Sequence, residues 1–100
     1  MDIYTLDQLP EPLRQNIVID EAGCWLWQGS LDRDGYGIAS AWRYGIADTR
    51  IHVIVWRMLS GDVPAGHEVH HECLVKRCCY PGHLIAFSPD QHKHWQKRYR

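Results

Sequence analysis

The segment VHHECLVKRCCYPGHL, residues 69–84, concentrates side chains that bind metal ions or carry protons. It holds three of the seven histidines and three of the four cysteines of this 100-residue chain. Thiolates and imidazoles are the usual ligands of zinc, and an imidazole beside an open metal site can act as a general base. The segment therefore predicts either one metal centre or two centres with different tasks.

A closed zinc site is indicated by Cys73 and Cys78, which have four residues between them in the loop and can both turn inward. Structural zinc takes four ligands, preferably thiolates. Cys24, at the start of an early predicted strand, is the expected third ligand. The fourth could be His52, Cys79 or another histidine. We favour His52, which stands alone at a strand-to-helix junction; the alternative is a core histidine bonded to backbone.

The remaining histidines suit an open, catalytic metal site. His70 and His71 are neighbours on a predicted strand, so their side chains point to opposite sides, and one can bind an ion while the other acts as a base. A hairpin crossed by a helix could gather His70, His83 and His92 around one ion. His71 would then stand beside that ion. The alternative is that these histidines are scattered over the surface.

Composition favours a folded intracellular domain. The chain is 45% hydrophobic and 23% charged, with five Trp and five Tyr. No run reaches the roughly 18 apolar residues of a membrane span, and residues 1–10 do not resemble a signal peptide. We therefore expect a cytoplasmic protein, in which zinc binding is favoured over two disulfides or plain buried thiols.

The predicted elements form one α+β domain with three parts. Residues 1–23 are a helical arm that Pro10 and Pro12 split. Residues 24–66 contain two short strands around a glycine turn, then a helix that ends at Gly61, although its β-branched start would also suit a strand. Residues 67–100 are predicted to form strand, loop, strand and helix, with Ser88 as the cap of the last helix.

The charge distribution favours a nucleic-acid partner. The net charge is only −1, but residues 92–100, HKHWQKRYR, contain four basic residues and no acid. Basic side chains neutralise phosphates when a protein binds DNA. The candidate phosphate contacts are Arg77, Lys93, Lys97, Arg98 and Arg100. For each, the alternative is a solvated surface charge.

In order and spacing, these motifs resemble the HNH endonucleases of phages and mobile elements, which have the ββα-metal (His-Me finger) fold. The resemblance covers residues 24–94 and is carried by CWLWQG, GYG, IHVIVW, SGDVPAG, VHHEC and CCYPGHL. It implies a small zinc-stapled nuclease domain of short antiparallel strands and helices. It also implies a phage or prophage gene in a bacterial host.

The resemblance assigns roles residue by residue. His71 falls on the general base, and His70 and His83 fall on ligand positions of the catalytic ion. His92 lies where the colicin-type nucleases have a further helix histidine. The three cysteines named above match those of zinc-bearing members, and His52 matches a recurrent histidine that we assign as the fourth zinc ligand.

Four positions depart from the family pattern. Tyr80 replaces an Asn, Val53 replaces an Arg, His70 replaces an Asp and His92 replaces an Asn. Nitrogen-rich ligands shift metal preference away from Mg²⁺. The candidates for the catalytic ion are therefore Mn²⁺, Ni²⁺, Co²⁺ and Zn²⁺, in addition to the Mg²⁺ of the family.

The implied function is metal-dependent hydrolysis of DNA phosphodiester bonds, by nicking or by double-strand cleavage. The expected partners are DNA and either a second copy of the chain or a phage packaging protein. One alternative is a catalytically inactive, zinc-stapled DNA-binding module. Another is a zinc module for protein interaction that uses the Trp and Tyr side chains.

Overall fold

The computed structural model describes residues 4–88. These residues form two short α-helices and two separate two-stranded antiparallel sheets. In chain order the elements are α1 (Glu11–Arg14), β1 (Ile17–Ile19), β2 (Trp25–Trp27), α2 (Ile51–Leu59), β3 (Glu68–His71) and β4 (Leu84–Phe87). Single 3₁₀ turns lie at Leu6–Gln8, Trp42–Tyr44 and Pro81–His83. The predicted small α+β architecture with short antiparallel strands is confirmed.

The N-terminal arm is interrupted at Pro10, as the sequence predicts, with a 3₁₀ turn before it and α1 after it. Leu9 and Leu13 are buried in the main core. Ile17, which continues their helical spacing, instead begins β1 and lies opposite Trp27 of β2. A buried isoleucine suits either periodicity, so the spacing alone could not locate the end of the helix.

The segment after β2 does not form the predicted second strand. Among the described residues it makes only the isolated bridges Leu31–Gly37 and Ile38–Arg50. The carboxylate of Asp32 accepts hydrogen bonds from the backbone N–H groups of Asp34 and Tyr36, at 2.9 and 3.0 Å. This side chain shapes the turn. The backbone also pairs across it, with the N–H of Asp32 donating to the carbonyl of Tyr36 at 2.8 Å, but the pairing is too short to form a strand.

Helix α2 is the packing centre of the domain. Its first five residues, from Ile51 to Val55, are all buried. The predicted helix is therefore confirmed despite its β-branched residues, because burial on several sides outweighs their low helix propensity. The helix ends at Leu59 with Ser60 as its C-cap, and Gly61 follows with a φ of +105°, a conformation that favours glycine.

The β3–β4 hairpin carries most of the candidate site. Val69 lies opposite Ala86 and His71 lies opposite Leu84. The long connection between these strands returns to β2, where the backbone N–H of Trp27 donates to the carbonyl of Arg77 at 2.9 Å. The helix predicted after Ser88 lies outside the described residues.

Candidate metal centre and histidine pocket

Three cysteines and one histidine converge on one point. The ligand atoms of Cys24, Cys73, Cys78 and His83 all lie within 4.8 Å of one another. Cys24 immediately precedes β2, the next two cysteines bracket the loop after β3, and His83 ends a 3₁₀ turn. We call these four residues the cysteine cluster.

The spacing within the cysteine cluster fits a tetrahedral zinc ion. The Nδ1 atom of His83 lies 3.4 Å from the Sγ atom of Cys24 and 3.5 Å from that of Cys78. Sulfur and nitrogen ligands at about 2.3 and 2.0 Å from a tetrahedral ion are separated by about 3.5 Å. The donor set and its geometry could therefore hold structural zinc.

A cation would also stabilise the thiolates of the cysteine cluster electrostatically. Burial, opposed by a hydrogen bond with Cys78 and reinforced by Cys73, raises the pKa of Cys24. Burial is likewise the main cause of the raised pKa of Cys78, with Cys24 and Cys73 adding to it. Thiolates packed this closely repel one another, and a divalent cation would remove that penalty.

The fourth member of the cysteine cluster differs from the sequence-based assignment. We expected His52 there and expected His83 at the catalytic ion, but the structure places His83 with the cysteines. His83 follows Cys78 by the same interval that separates Cys78 from Cys73, a spacing signal that could have identified it. Cys79 lies outside the cluster, and its thiol donates to the carbonyl of Trp25 over 3.4 Å.

His52 lies in a different place, next to His71. The centroids of the two imidazole rings are 4.4 Å apart, and the ring of Tyr36 stacks 5.8 Å from that of His71. These side chains line a pocket of about 150 Å³. We call it the histidine pocket, and its lining is Tyr36, Arg50, His52, Glu68, Val69, His70 and His71.

His71, the predicted general base, is held with one nitrogen available. The residue is 7% exposed, and an interaction of its ring N–H, as donor, with the backbone carbonyl of Cys78 raises its pKa in part. Its Nε2 atom is buried and has no hydrogen-bond partner within residues 4–88, so Nδ1 is the nitrogen that faces Cys78. Burial lowers the pKa of His71 to about 4, so the ring is neutral and able to accept a proton at pH 7.

His52 has the complementary arrangement. It is 2% exposed, and its Nδ1 atom is the nitrogen without a partner in the described part of the chain. The other nitrogen faces the backbone of Val69. Burial, with a smaller contribution from His71, lowers the pKa of His52 to about 3. The imidazoles of His52 and His71 are therefore both neutral near pH 7.

His70 lines the same pocket but is more exposed than His71. Its Nε2 atom lies 3.3 Å from a carboxylate oxygen of Glu68. A carboxylate beside one imidazole nitrogen is a common way to orient the other nitrogen toward a metal ion. His92, its expected co-ligand, lies outside the described residues.

Two arginines belong to the segments that form the sites: Arg77 lies in the loop between Cys73 and Cys78, and Arg50 lines the histidine pocket. Arg77 donates from Nε to the carbonyl of Trp27 at 3.0 Å, so its guanidinium is anchored beside β2. Arg50, which sequence analysis did not single out, lines the histidine pocket and pairs with Asp48 at 3.1 Å. Its position directly before the IHVIVW motif was the available signal. Lys93, Lys97, Arg98 and Arg100 lie outside the described residues.

Two departures from the family pattern have a packing explanation. Val53 is 3% exposed and packs with Val69 and Leu84 under the hairpin, a place that would not accept a charged side chain without a partner. Tyr80 packs its ring against those of Trp25 and His83, with centroids 5.1 and 5.0 Å away. Both residues therefore support the elements that carry the two sites.

A hairpin that carries a Cys₃His cluster able to hold a metal ion, next to a pocket with two buried neutral histidines, is consistent with a small α+β domain of the ββα-metal type. Residues 49–94 match the family model described as HNH endonuclease. This match places residues 49–94 in the HNH endonuclease family, as the motifs indicated.

Two phage proteins are similar to the chain. Protein 2.8 of Escherichia phage T7 is 33% identical over 84 residues, which cover 84% of this chain and 56% of the relative. The protein named Uncharacterized gene 5.3 protein of Enterobacteria phage T3 is 32% identical over 69 residues, covering 61% of this chain and 63% of the relative. The chain thus spans less than two thirds of the length of either protein.

No solved structure matches the chain significantly. Within residues 4–88, neither helix has the length and apolar character needed to cross a bilayer.

Proposed function

We propose that the chain is a metal-dependent DNA endonuclease in which His71 is the general base. The observation that carries the proposal is the buried Nε2 atom of His71, which has no partner within residues 4–88 and belongs to a neutral ring that lines a pocket. A base needs such an unprotonated nitrogen within reach of the water that it activates. Membership in the HNH endonuclease family supports the same reaction.

The chemistry is hydrolysis of a phosphodiester. Nε2 of His71 accepts one proton from a water molecule as the water oxygen forms a bond to phosphorus. The bond from phosphorus to the 3′ oxygen breaks, and that oxygen leaves with the electron pair and is protonated by solvent. A divalent ion bound at this site would stabilise the negative charge on the phosphate and the leaving oxygen.

We assign the catalytic ion to His70 and His92, and the cysteine cluster to structural zinc. His83, as a member of that cluster, is withdrawn from the catalytic ion. Imidazole ligands favour Mn²⁺, Co²⁺, Ni²⁺ or Zn²⁺ over Mg²⁺. Glu68 supports the assignment because its carboxylate is placed to orient the His70 ring.

DNA would be held mainly through its phosphates. The proposed contacts are Arg77 and the basic residues Lys93, Lys97, Arg98 and Arg100. Recognition of a defined sequence would require additional base contacts from a second copy of the chain or from a phage packaging protein.

The test is cleavage of supercoiled plasmid by the purified chain with Mg²⁺, Mn²⁺, Co²⁺, Ni²⁺ or Zn²⁺. We expect nicked or linear DNA with at least one ion. His71→Ala should slow cleavage by about 10²- to 10⁴-fold, the usual contribution of a general base, and leave plasmid retardation on a gel intact. His67→Ala is the matched control, since His67 does not line the pocket. Full activity in His71→Ala would remove the base assignment.

A DNA-binding module without catalysis is the second candidate. It is favoured by the replacement of the family Asn by Tyr80 and of the family Asp by His70. The same assay separates the two candidates, because this module would retard the plasmid but leave it supercoiled with every ion.

A further inference from the structure

His52 is a buried histidine that the mechanism above leaves without a task. It extends from the first turn of α2 to within 4.4 Å, ring centroid to ring centroid, of the proposed base. Only 2% of the residue is exposed. Apolar residues fill the neighbouring positions 51 and 53 to 55 of the same helix. Buried polar groups normally have hydrogen-bond partners, so the polar ring at this position is expected to bind a partner or to have a functional role.

The two imidazoles leave complementary atoms open. Nδ1 of His52 has no partner within residues 4–88, so the interaction of this ring with the backbone of Val69 falls to Nε2. With Nε2 as the N–H donor, Nδ1 would be an open acceptor. His71 has the reverse orientation, with Nδ1 toward the backbone of Cys78 and Nε2 open. Both open nitrogens belong to side chains that line the histidine pocket, whose volume exceeds that of one water molecule several times.

We propose that His52 is a second catalytic imidazole, whose Nδ1 accepts a hydrogen bond from the same water molecule that His71 deprotonates. This inference rests on the proposed nuclease function and adds a residue to it. In this proposal His52 and His71 bind the same water molecule. Each of the two open nitrogens accepts one hydrogen of that water.

The arrangement fixes the direction of attack. A water molecule has two O–H groups and two lone pairs. When one O–H donates to Nε2 of His71 and the other to Nδ1 of His52, a lone pair is left for phosphorus. The first proton moves to His71 as the oxygen–phosphorus bond forms. The second stays on the oxygen throughout, so His52 gains no proton and remains an acceptor.

Two amide variants separate this role from a structural one. The amide of asparagine lies near the position of imidazole Nδ1, whereas that of glutamine reaches the position of Nε2. His52→Asn therefore keeps an acceptor for water and loses the contact to Val69. His52→Gln keeps a donor to Val69 and loses the acceptor. Cleavage at saturating plasmid, plasmid retardation and melting temperature are measured for both variants.

We expect His52→Asn to cleave about 10-fold or more faster than His52→Gln, with similar DNA retardation, even where its melting temperature is the lower of the two. Equal rates, or a faster His52→Gln, would show that His52 acts only through the backbone of Val69. Wild-type chain that cleaves no plasmid would overturn the nuclease function and this inference together. Wild-type cleavage with the wrong order of variants would overturn the inference alone.

A measurement on the unmodified chain covers the case in which both variants unfold. Long-range ¹H–¹⁵N correlation spectra at neutral pH report which nitrogen of each imidazole carries the proton. We expect His52 to be protonated at Nε2 and bare at Nδ1, and His71 the opposite. A proton on Nδ1 of His52 would make it a donor and would overturn the inference.

Discussion

The cysteine cluster and the histidine pocket differ in how their polar atoms are satisfied. In the cysteine cluster, four ligand atoms face one another within 4.8 Å, so a bound ion would be fully enclosed. In the histidine pocket, Nδ1 of His52 and Nε2 of His71 have no partner within residues 4–88. Full enclosure is typical of structural metal sites, and open positions are typical of catalytic ones. In the proposed function, the cysteine cluster would therefore stabilise the fold and the histidine pocket would carry out the chemistry.

The two sites are nevertheless linked through one residue. Cys78 supplies a thiol to the cysteine cluster, and its backbone interacts with the ring of His71. A metal ion that fixes Cys78 would therefore also fix the orientation of the proposed base.

The largest effect should come from removing one ligand of the cysteine cluster. Cys78→Ala should lose zinc and unfold or melt at a much lower temperature, because binding of structural zinc contributes on the order of 10 kcal/mol to folding. Zinc content per chain and thermal melting are the measurements. The neighbouring Cys79→Ala is the matched control: Cys79 is equally buried but lies outside the cluster, so it should keep its zinc. Equal zinc loss in both variants would contradict the cluster.

The next effect tests how the histidines are divided between the two sites. His83→Gln should lose the tightly held zinc, because glutamine is a poor substitute for an imidazole ligand. His52→Gln should keep it, since His52 is not part of the cysteine cluster. Zinc per chain after mild chelation measures both. Zinc retained in His83→Gln and lost in His52→Gln would restore the assignment that the sequence suggested.

Acid should destabilise the histidine pocket, by less than the loss of a zinc ligand. Burial lowers the pKa of His52 to about 3 and that of His71 to about 4, both below the unfolded value of 6.5. Between pH 6.5 and pH 4 the unfolded chain therefore binds more protons, and stability falls as the pH falls, by about 1.4 kcal/mol per pH unit for each histidine.

Denaturant unfolding of the wild type and His52→Gln across that pH range measures this dependence. The variant should lose about half of the slope that the two histidines cause, and proton competition at the zinc ligands should be common to both proteins. His67→Gln is the control and should follow the wild type. A slope unchanged in His52→Gln would show that His52 does not titrate with folding.

The sequence predicted which types of residue form the two sites better than it predicted which histidine lies at which site. Types and spacing were enough for the three cysteines, because Cys73 and Cys78 share a loop that an ion can close. Helix α2 and the β3–β4 hairpin were also predicted from caps and turns. The structure gathers His83, and not the expected His52, with the cysteines. That grouping depends on how α2 packs against the hairpin, a long-range contact that local spacing does not encode.

The smallest effect concerns the turn that carries His83. A Cβ atom at Gly82 would lie 2.5 Å from Cε2 of Tyr80 and 3.2 Å from two further atoms of that ring. The ring cannot move aside, because it is buried against Trp25. Gly82→Ala should therefore cost about 1 to 3 kcal/mol of unfolding free energy, the usual cost of overpacking, and weaken zinc binding through displacement of His83.

A double-mutant cycle isolates this contact. Tyr80→Ala removes the ring, so adding Gly82→Ala to that background should cost almost nothing further, and the two changes should be strongly non-additive. The same cost in both backgrounds would mean that the turn needs glycine for its backbone and not for the close approach of Tyr80. The expected result instead explains why Tyr80 can replace the family's Asn here: its ring and Gly82 pack as a pair, and the pair holds His83 against the cysteines.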